Sequence, residues 1–503
     1  MKRLIRTLVI ICGFLFCELL AQNMHAENKF DLSEIAKIRT FLMQASAEPG
    51  FTNYQQLGIT SLYNVDWLEV PGLYWDLDTI HVDRILWSDK KLGGHLDFSG
   101  ITNLRFLHVG YNNLKSVNVR HCSALQSIDL YTNDLYEIDV TTNPELNYLR
   151  FGFNNIQTID LSNNLKLGSI CCTANRVSSL DVSNKPMLQS IKCLSNNMHT
   201  LKIDNCPNLE SIACDLNSLT GLNLNNLTNL KTVSCVLNEL EYLHLDNCVS
   251  LEEIHCQNNK ISSLDASSCV NLSTLICKDN KIETINLSGC NQLVTLTCEN
   301  NFLTSLDVSN SPLLSKLSCQ NNYLSFLTLP LPNERLVPAS SYSFVPQRYI
   351  ALDRQYNDVD LSDFYKIQDI ITKYEWYYKN SLTYPLEDNE GRFVFKESYI
   401  GEIFICRAKN NTFPGLTMHY DVTIMQDVGN GILQQGADNP VVYAGEHTIH
   451  ITTSASSTVR IFSLLGALLM NYTISAGQTS IPIERGMYLV VVNDNTNFKV
   501  FVR

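Results

Sequence analysis

A 21-residue repeat occupies almost half of this 503-residue chain. Eleven copies follow one another from Leu104 to Glu334 without an insertion, and each reads approximately L-x-x-[LIV]-x-C-x-x-N-x-[LIVM]-x-x-[LI]-x-[LVI]-[SD]-x-x-x-x. The ninth copy, LSTLICKDNKIETINLSGCNQ, begins at Leu272 and shows the pattern clearly. A period of this length predicts a solenoid, because one repeat cannot bury its apolar face alone and stacked repeats share a continuous core.

The first half of each copy predicts a short β-strand. Its apolar residues alternate in L-x-x-L-x-C, as a strand with one buried face requires. Stacking in register would place these strands side by side in a parallel sheet, about 4.8 Å apart. The second half of the copy, such as LTSLDV at 303–308, is too short for a long helix. We therefore expect extended or 3₁₀ segments on the convex side.

The ninth position of every copy is asparagine. An inward-turned asparagine can satisfy backbone groups in the bend after the strand, which a buried turn must do. We therefore predict a structural Asn ladder. Its members are Asn112, Asn133, Asn154, Asn175, Asn196, Asn217, Asn238, Asn259, Asn280, Asn301 and Asn322.

The chain has seventeen cysteines, and most of them follow the repeat. Eight form a structural Cys ladder at the sixth position: Cys172, Cys193, Cys214, Cys235, Cys256, Cys277, Cys298 and Cys319. The first three copies carry Val109, Leu130 and Phe151 there, so the thiols act as small buried hydrophobes. Disulfides are the alternative in an exported protein, but parallel Cβ vectors about 4.8 Å apart fit a bridge poorly. A linear ladder offers no tetrahedral metal cluster, and we predict no metal site.

These residues carry a family resemblance. L-x-x-L-x-[LC]-x-x-N-x-L is the leucine-rich repeat signature, and the Cys at position six resembles the internalin J-like cysteine-ladder repeats of bacterial surface proteins. The resemblance implies a mainly β fold with short helical or 3₁₀ turns. A leucine-rich repeat solenoid, with a parallel sheet on its concave face, would be followed by two small β-sandwich domains. Members of this family bind many unrelated ligands.

The N-terminus predicts export. Basic residues, the apolar run at 8–16 and small residues at Ala21 and Ala26 form a secretory signal peptide, cut after Ala26 or Ala21. Lipid attachment at Cys17 is the alternative, although bulky Phe16 precedes it. No later run is long enough for a transmembrane span. The net charge of −13 argues against a nucleic-acid partner. We expect a secreted protein, or one on the outer cell surface of a bacterium.

The flanking segments predict further domains. A helix with Asp31 and Glu34 as a capping box begins an N-terminal cap. After the repeats, Trp376 and a single strand cysteine, Cys406, resemble an Ig-like module without its disulfide. The order V-x-I-F, G-x-Y and K-x-F-V near the C-terminus is similar to the sorting domains of type IX secretion substrates; a β-sandwich without a sorting role is the alternative.

These patterns divide the chain into five parts. They are a signal peptide at 1–26, a cap with a degenerate first repeat at 27–103, the eleven repeats at 104–334, an Ig-like β-sandwich at 335–430 and a C-terminal sorting-type β-sandwich at 431–503. If the sorting resemblance holds, outer-membrane secretion machinery is a partner of the last part.

Catalytic motifs are not found in the sequence. There is no G-x-G-x-x-G, P-loop, G-x-S-x-G or H-E-x-x-H, so we predict neither an enzyme nor a bound cofactor. His447 and His450 are three apart in a predicted strand and would face opposite sides.

Recognition is predicted on the concave face, which we define as the side of the sheet carrying positions three, five, seven and eight. Its first three copies hold an aromatic patch, the aromatic and Arg residue types enriched at binding hot spots. The patch comprises Phe106, His108, Tyr111, Tyr131, Tyr148, Arg150 and Phe153. We predict an adhesin-like protein that binds a protein or glycan of a host or neighbouring cell. The alternatives are that aromatic residues simply prefer strands, and that the repeats are a structural spacer with no defined ligand.

Overall fold

The computed structural model describes residues 30–63, 65–76, 81–338, 340–356, 358–425, 440–445, 448–463, 468–483, 486–493 and 496–502. The predicted signal peptide, Cys17, the Gly-rich stretch at 429–436 and His447 lie outside these residues. Among the described residues, no helix has the length and apolar character needed to cross a membrane. The prediction of a mainly β fold with a parallel-strand solenoid, followed by β-sheet domains, is confirmed.

The chain forms two compact units. The first contains the repeats and continues to Ile350, and the segments Phe364–Glu375 and Cys406–Tyr420 also belong to it. The second contains Ala351–Asp363, Trp376–Ile405 and the chain from Asp421 onward.

From residue 30 to the repeats the structure describes two helices, α1 at Leu32–Leu42 and α2 at Asn53–Gln56. The Asp31 carboxylate caps α1 by accepting from the backbone N–H groups of Ser33 and Glu34. The Glu34 side chain does not complete the expected capping box with Asp31; it accepts instead from the backbone N–H of Val82 at 2.8 Å. This hydrogen bond connects helix α1 to the first repeat-like strand, Val82–Leu86.

A fourteen-stranded sheet runs through the first unit. Its first pair is antiparallel, and every later pair is parallel. Within the repeats, each residue faces the residue 21 positions later, as Ser127 faces Tyr148. In order, the strands are Leu73–Trp75, Val82–Leu86, Phe106–His108, Ser127–Asp129, Tyr148–Arg150, Ser169–Cys171, Ser190–Lys192, Ser211–Ala213, Thr232–Ser234, Glu253–His255, Thr274–Ile276, Thr295–Thr297, Lys316–Ser318 and Tyr342–Ser343.

The second halves of the copies are extended. Some of them pair into two-stranded parallel sheets on the side away from the main sheet, namely Gly93–Asp97 with Asn113–Asn118, Ser179–Asp181 with Thr200–Lys202, Gly221–Asn223 with Tyr242–His244, and Ser263–Asp265 with Thr284–Asn286. Their central leucines point into the core from the opposite side, as Leu222 and Leu264 do. The core is therefore filled from both halves of each copy.

Each ladder asparagine joins neighbouring copies through its side chain. The amide nitrogen donates to a carbonyl of the preceding rung at 2.8 to 3.1 Å. The amide oxygen accepts from a backbone N–H of that rung at 2.9 to 3.1 Å. The side-chain amide thus satisfies backbone groups of the bend after each strand.

The cysteines of the repeats, apart from Cys171, form two buried columns. All described cysteines are free, and the eight at position six are fully buried. The second column, at position nineteen, has a different chemistry. The thiols of Cys122, Cys206 and Cys248 donate to carbonyls at 3.0 to 3.1 Å. Other copies place Asn143, Asn164 and Lys185 in the same role. Position nineteen therefore carries a hydrogen-bond donor in most copies, although the sixth copy has Leu227 there.

After the last repeat, Gln347 makes the same kind of side-chain hydrogen bonds as the ladder asparagines. Gln347 donates to the Cys319 and Phe344 carbonyls, in the manner of a twelfth asparagine. The Phe413 ring packs against the rings of Phe326 and Phe344 at 6.0 and 5.7 Å. An aromatic cluster therefore covers the end of the core.

Between the repeats and residue 425, the structure describes three sheets and two 3₁₀ turns. The five-stranded sheet has the order Ile350–Tyr356, Met418–Met425, Ile403–Lys409, Lys373–Tyr378 and Ser381–Thr383. The three-stranded sheet has the order Asp358–Asp360, Arg392–Val394 and Glu387–Asn389, and Lys366–Ile367 pairs with Ile370–Ile371. The 3₁₀ turns are Ser362–Phe364 and Glu397–Tyr399. Trp376 packs edge-on against Phe393 and Phe395.

The C-terminal residues form two antiparallel sheets. One has the order Val441–Gly445, Thr448–Thr453 and Gly477–Pro482, and the other Leu468–Ile474, Ser457–Ser463, Gly486–Val492 and Thr496–Val502. Ile449, Ile451, Val459, Ile461 and Val490 form one buried cluster between them.

Candidate binding site on the concave face

The strands of the first three copies present the predicted patch. In Phe106–His108 the central residue Leu107 is buried and its two neighbours point to the other face. Tyr148–Arg150 repeats this arrangement around buried Leu149. The alternation of a strand therefore places four predicted side chains on one face of the sheet.

Three aromatic rings form a row at the C-terminal ends of these strands. Tyr111, Tyr131 and Phe153 come from successive copies, and neighbouring ring centroids lie 5.5 and 5.1 Å apart. These separations suit tilted aromatic pairs. Tyr111 and Phe153 remain 47% and 49% exposed, so about half of each ring is open to a ligand.

Arg150 lies on this row. Its guanidinium carbon is 3.6 Å from the Tyr131 ring centroid and 5.8 Å from that of Tyr111, a cation–π arrangement. It also forms an ion pair with Asp129 at 3.0 Å and donates to the Tyr111 hydroxyl at 3.3 Å. The guanidinium is consequently held in one position before any ligand arrives.

Tyr131 and Tyr148 present neutral phenols on this face. Burial raises the pKa of Tyr131 and that of Tyr148 above the ordinary value. Tyr148 stands at the strand's outward position three and is 36% exposed. Both hydroxyls can therefore donate to a polar ligand at physiological pH.

Phe106 and His108 form a second group. Their rings meet edge to face at 6.4 Å, and Arg84 and Arg105 lie over the Phe106 ring at 5.3 and 5.8 Å. Burial lowers the pKa of His108, whose Nε2 is 2.8 Å from the Ser127 hydroxyl. The structure thus gathers Tyr111, Tyr131, Arg150 and Phe153 into direct contact and leaves the other three predicted residues beside them.

Three residues of this surface were missed by the sequence analysis. Asp129 fixes Arg150, Gly152 makes room for Tyr131, and Cys171 stands opposite Arg150 in the parallel register. A Cβ on Gly152 would lie 2.6 Å from the Tyr131 ring. The signal was present in the repeat alignment, because Asp129, Arg150 and Cys171 share position five of successive copies.

Position eight has an unusual backbone in every copy. Its φ lies between 53° and 58°, the left-handed region that favours glycine and asparagine. The last four copies place Asn258, Asp279, Asn300 and Asn321 there, whereas the first and third place Tyr111 and Phe153. Two exposed leucines, Leu216 and Leu237, occupy it in the sixth and seventh copies.

Comparisons with known proteins concern the fold of the repeats and the C-terminal residues. A family model described as a domain of unknown function (DUF6383) matches residues 428–502. No curated protein matches the sequence.

Solved structures of leucine-rich repeat proteins are similar to this chain. The functional domain of InlJ from Listeria monocytogenes, which includes a cysteine ladder, is 21% identical, with 66% of this chain and 83% of that chain covered and a TM-score of 0.43. YopM, a leucine-rich effector protein from Yersinia pestis, is 22% identical, with 46% and 78% covered and a TM-score of 0.33. The leucine-rich repeat architecture of this chain is established by its own strand register.

Proposed function

We propose that this chain is a secreted or surface-displayed binding protein, adhesin-like, that recognises a protein or glycan of a host or neighbouring cell through the aromatic patch. The observation that carries the proposal is the exposed row of Tyr111, Tyr131 and Phe153 with the Arg150 guanidinium stacked on it. Aromatic and Arg side chains contribute disproportionately to binding energy. Because the row and Arg150 are already fixed, little conformational entropy is lost on binding.

The backbone at position eight supports the same proposal. A non-glycine residue in the left-handed region costs about 1–2 kcal/mol, and an exposed aromatic ring gains nothing from water. Tyr111 and Phe153 combine a left-handed backbone with an exposed ring, and both features are unfavourable. The last four copies form the same turn with Asn or Asp, which tolerate this backbone. Strained residues of this kind cluster at functional sites. A ligand that covers the two rings would account for them.

The remaining parts of the chain would deliver and display the repeats. We propose a cleaved signal peptide at 1–26, a cap at 27–103, an Ig-like spacer at 335–430 and a C-terminal sorting-type domain at 431–503 that engages outer-membrane secretion machinery. The match of a family model to 428–502 supports a separate domain there. The buried Trp376 and the lone buried Cys406 support the Ig-like assignment.

A structural spacer with no ligand is the second candidate. It is favoured by the contacts of Arg150, whose guanidinium is already engaged by Asp129, Tyr111 and Tyr131. The two candidate functions differ in one respect: in a binding protein the exposed halves of the Tyr111 and Phe153 rings contact a ligand, whereas in a spacer they contact only solvent.

A binding experiment separates them. The mature chain is screened against arrays of host glycans and extracellular-matrix proteins, alongside a variant with Tyr148→Ala and Arg150→Ala. We expect capture by the wild type and loss of capture by the double variant, which circular dichroism should show to be folded, with a Tm lowered by loss of the Arg150–Asp129 ion pair. Tyr242→Ala is the matched control, because Tyr242 is also about half exposed but lies in a strand of the second halves. Capture that survives the double variant would refute the patch, and no capture by either chain would favour the spacer.

Cys171 provides an independent readout. It is partly exposed on the concave face, whereas the other described cysteines are buried. A ligand on the patch should therefore slow alkylation of Cys171. An unchanged alkylation rate at saturating ligand would place the ligand elsewhere.

A further inference from the structure

Three potential metal ligands meet beside the N-terminal end of α1. The ligand atoms of Asp31, Glu34 and His81 all lie within 4.8 Å of one another. His81 Nδ1 is 3.0 Å from Glu34 Oε1 and 3.9 Å from Asp31 Oδ2. Three ligands on a tetrahedral zinc ion with ordinary bond lengths are about 3.4 Å apart. The distances from His81 Nδ1 to the two carboxylate oxygens, 3.0 and 3.9 Å, lie on either side of this ligand–ligand distance.

Each carboxylate divides its two oxygens between the backbone and the group. Asp31 Oδ1 accepts from the N–H groups of Ser33 and Glu34 at 2.8 and 3.2 Å, which leaves Oδ2 toward His81. Glu34 Oε2 accepts from Val82 N–H at 2.8 Å, which leaves Oε1 toward His81. Bonds that orient a ligand through its second atom are characteristic of metal sites.

The burial of the three side chains suits a site with one open side. The Glu34 side chain is only 5% exposed, whereas those of Asp31 and His81 are 33% and 32% exposed. A metal ion could enter from the side of Asp31 and His81 and neutralise the buried Glu34. Two carboxylates balance the charge of a divalent ion, and the imidazole favours a transition metal over calcium or magnesium.

We propose that Asp31, Glu34 and His81 bind a divalent transition-metal ion such as Zn²⁺, with solvent completing the coordination. The site joins elements distant in sequence: Asp31 caps α1, Glu34 lies in its first turn, and His81 directly precedes the strand Val82–Leu86. A bound ion therefore fastens the helical cap to the first strand of the parallel stack. Metal binding to the folded chain alone raises stability by mass action.

An ordinary ion pair between Glu34 and His81 is the alternative, and it needs no metal. Metal titration distinguishes the two. The mature full-length chain, with Cys171→Ser to remove the accessible thiol, is titrated with Co²⁺ and followed by its visible absorption. We expect one Co²⁺ per chain, no thiolate charge-transfer band, displacement by Zn²⁺, and a Tm higher by several degrees with Zn²⁺.

Variants assign the ion to the group. Asp31→Asn keeps the helix cap, since Asn is an equally good N-cap residue, but replaces one ligand oxygen with an amide. We expect it to weaken Zn²⁺ binding at least about tenfold, and His81→Ala to weaken it similarly. His255→Ala is the control, because His255 also pairs with a carboxylate, Glu253, at 3.6 Å. Absence of Co²⁺ binding by the parent chain, or binding unaffected by Asp31→Asn, would overturn the proposal.

Discussion

The side-chain nitrogen of Asn238 lies 3.0 Å from the carbonyl oxygen of Cys214, which precedes it by 24 residues in the neighbouring copy. The same nitrogen donates to the carbonyl of Cys235 at 3.2 Å, and the amide oxygen accepts from Leu219 N–H at 3.0 Å. One side chain therefore fixes its own turn and two points of the preceding rung. The turn includes Leu237, whose φ is 55°.

Removing this side chain should destabilise the repeats strongly. In Asn238→Ala the buried Leu219 N–H loses its partner, at about 1–3 kcal/mol for an unsatisfied group. The Cys214 carbonyl keeps only its bond from the Asn217 amide. We expect a loss of at least about 2 kcal/mol in the free energy of unfolding, measured by urea denaturation. Asn229→Ala is the control, because the exposed Asn229 makes one bond, to the Pro207 carbonyl. Equal losses in the two variants would contradict the role of the ladder.

The two cysteine columns should respond differently to serine. Cys256 packs as an apolar side chain in the first column, so Cys256→Ser buries a poorly bonded hydroxyl and should cost about 1–3 kcal/mol. Cys248 already donates to the Leu224 carbonyl at 3.0 Å, and Asn143 and Lys185 donate from the same column in other copies. A serine hydroxyl can take over that bond, so Cys248→Ser should cost less than about 1 kcal/mol. Thermal denaturation of both variants tests the order, and a reversed order would contradict it.

The ladder thiols should be reduced but unreactive in the folded protein. Burial raises the pKa of Cys256 and of Cys319 in the ladder, and of Cys269 in the second column, to about 12. Since the thiolate is the reactive form, these residues should resist alkylation near neutral pH. Thiol counting on the mature chain should find Cys171 reactive before denaturation and all ladder thiols after it. A denatured count short by even one pair would reveal a disulfide.

Much of the first unit could be predicted because the repeat turns sequence positions into columns in space. The 21-residue period gives the strand register directly, so Ser127 faces Tyr148 as the alignment requires. The alternation around Leu107 and Leu149 gives the buried face of the strands. The fold followed from the regularity of the pattern and needed no knowledge of single contacts.

The contacts within the candidate sites depend on side-chain conformations, which the repeat pattern does not contain. Columns place Asp129 beside Arg150, but they do not show that the guanidinium stacks on Tyr131. A local pattern assigned Glu34 to a capping box with Asp31. In the folded chain, tertiary packing places Val82 and His81 next to Glu34, and the Glu34 carboxylate hydrogen-bonds to them and not to the N-cap backbone. Glu34 and His81 are 47 residues apart in the sequence, and no local pattern indicates that their side chains meet.

Gly152 should be essential for the arrangement of the aromatic row. An added Cβ would lie 2.6 Å from the Tyr131 ring and 2.9 Å from the Thr173 carbonyl oxygen. Gly152→Ala should therefore move the Tyr131 ring off Arg150 and cost about 1–3 kcal/mol through overpacking. Near-ultraviolet circular dichroism should report the displaced ring, and Gly168→Ala is a control outside the row. A crystal structure of the variant with Tyr131 unmoved would contradict this prediction.

The ion pair between Asp83 and Arg105 should make the first strands sensitive to acid. Burial of Asp83 opposes its ionisation, but hydrogen bonds from Arg105 and Arg84 outweigh it, and the pKa of Asp83 lies below the ordinary value. A carboxyl with a lowered folded-state pKa stabilises the fold above its unfolded pKa of about 3.9. That contribution is lost as the pH falls through the folded-state value.

Asp83→Asn should remove this pH-dependent contribution. We expect the variant to be less stable than the wild type by about 1–2 kcal/mol at pH 7, since the Arg side chains are half exposed and solvent screens the pair. The difference should shrink as the pH falls below about 4, because the wild-type carboxyl then becomes protonated. Urea denaturation at pH 7 and pH 3 measures both values, with exposed Asp204→Asn as the control. A difference that stays constant between the two pH values would show that the charge of Asp83 does not stabilise the first strands.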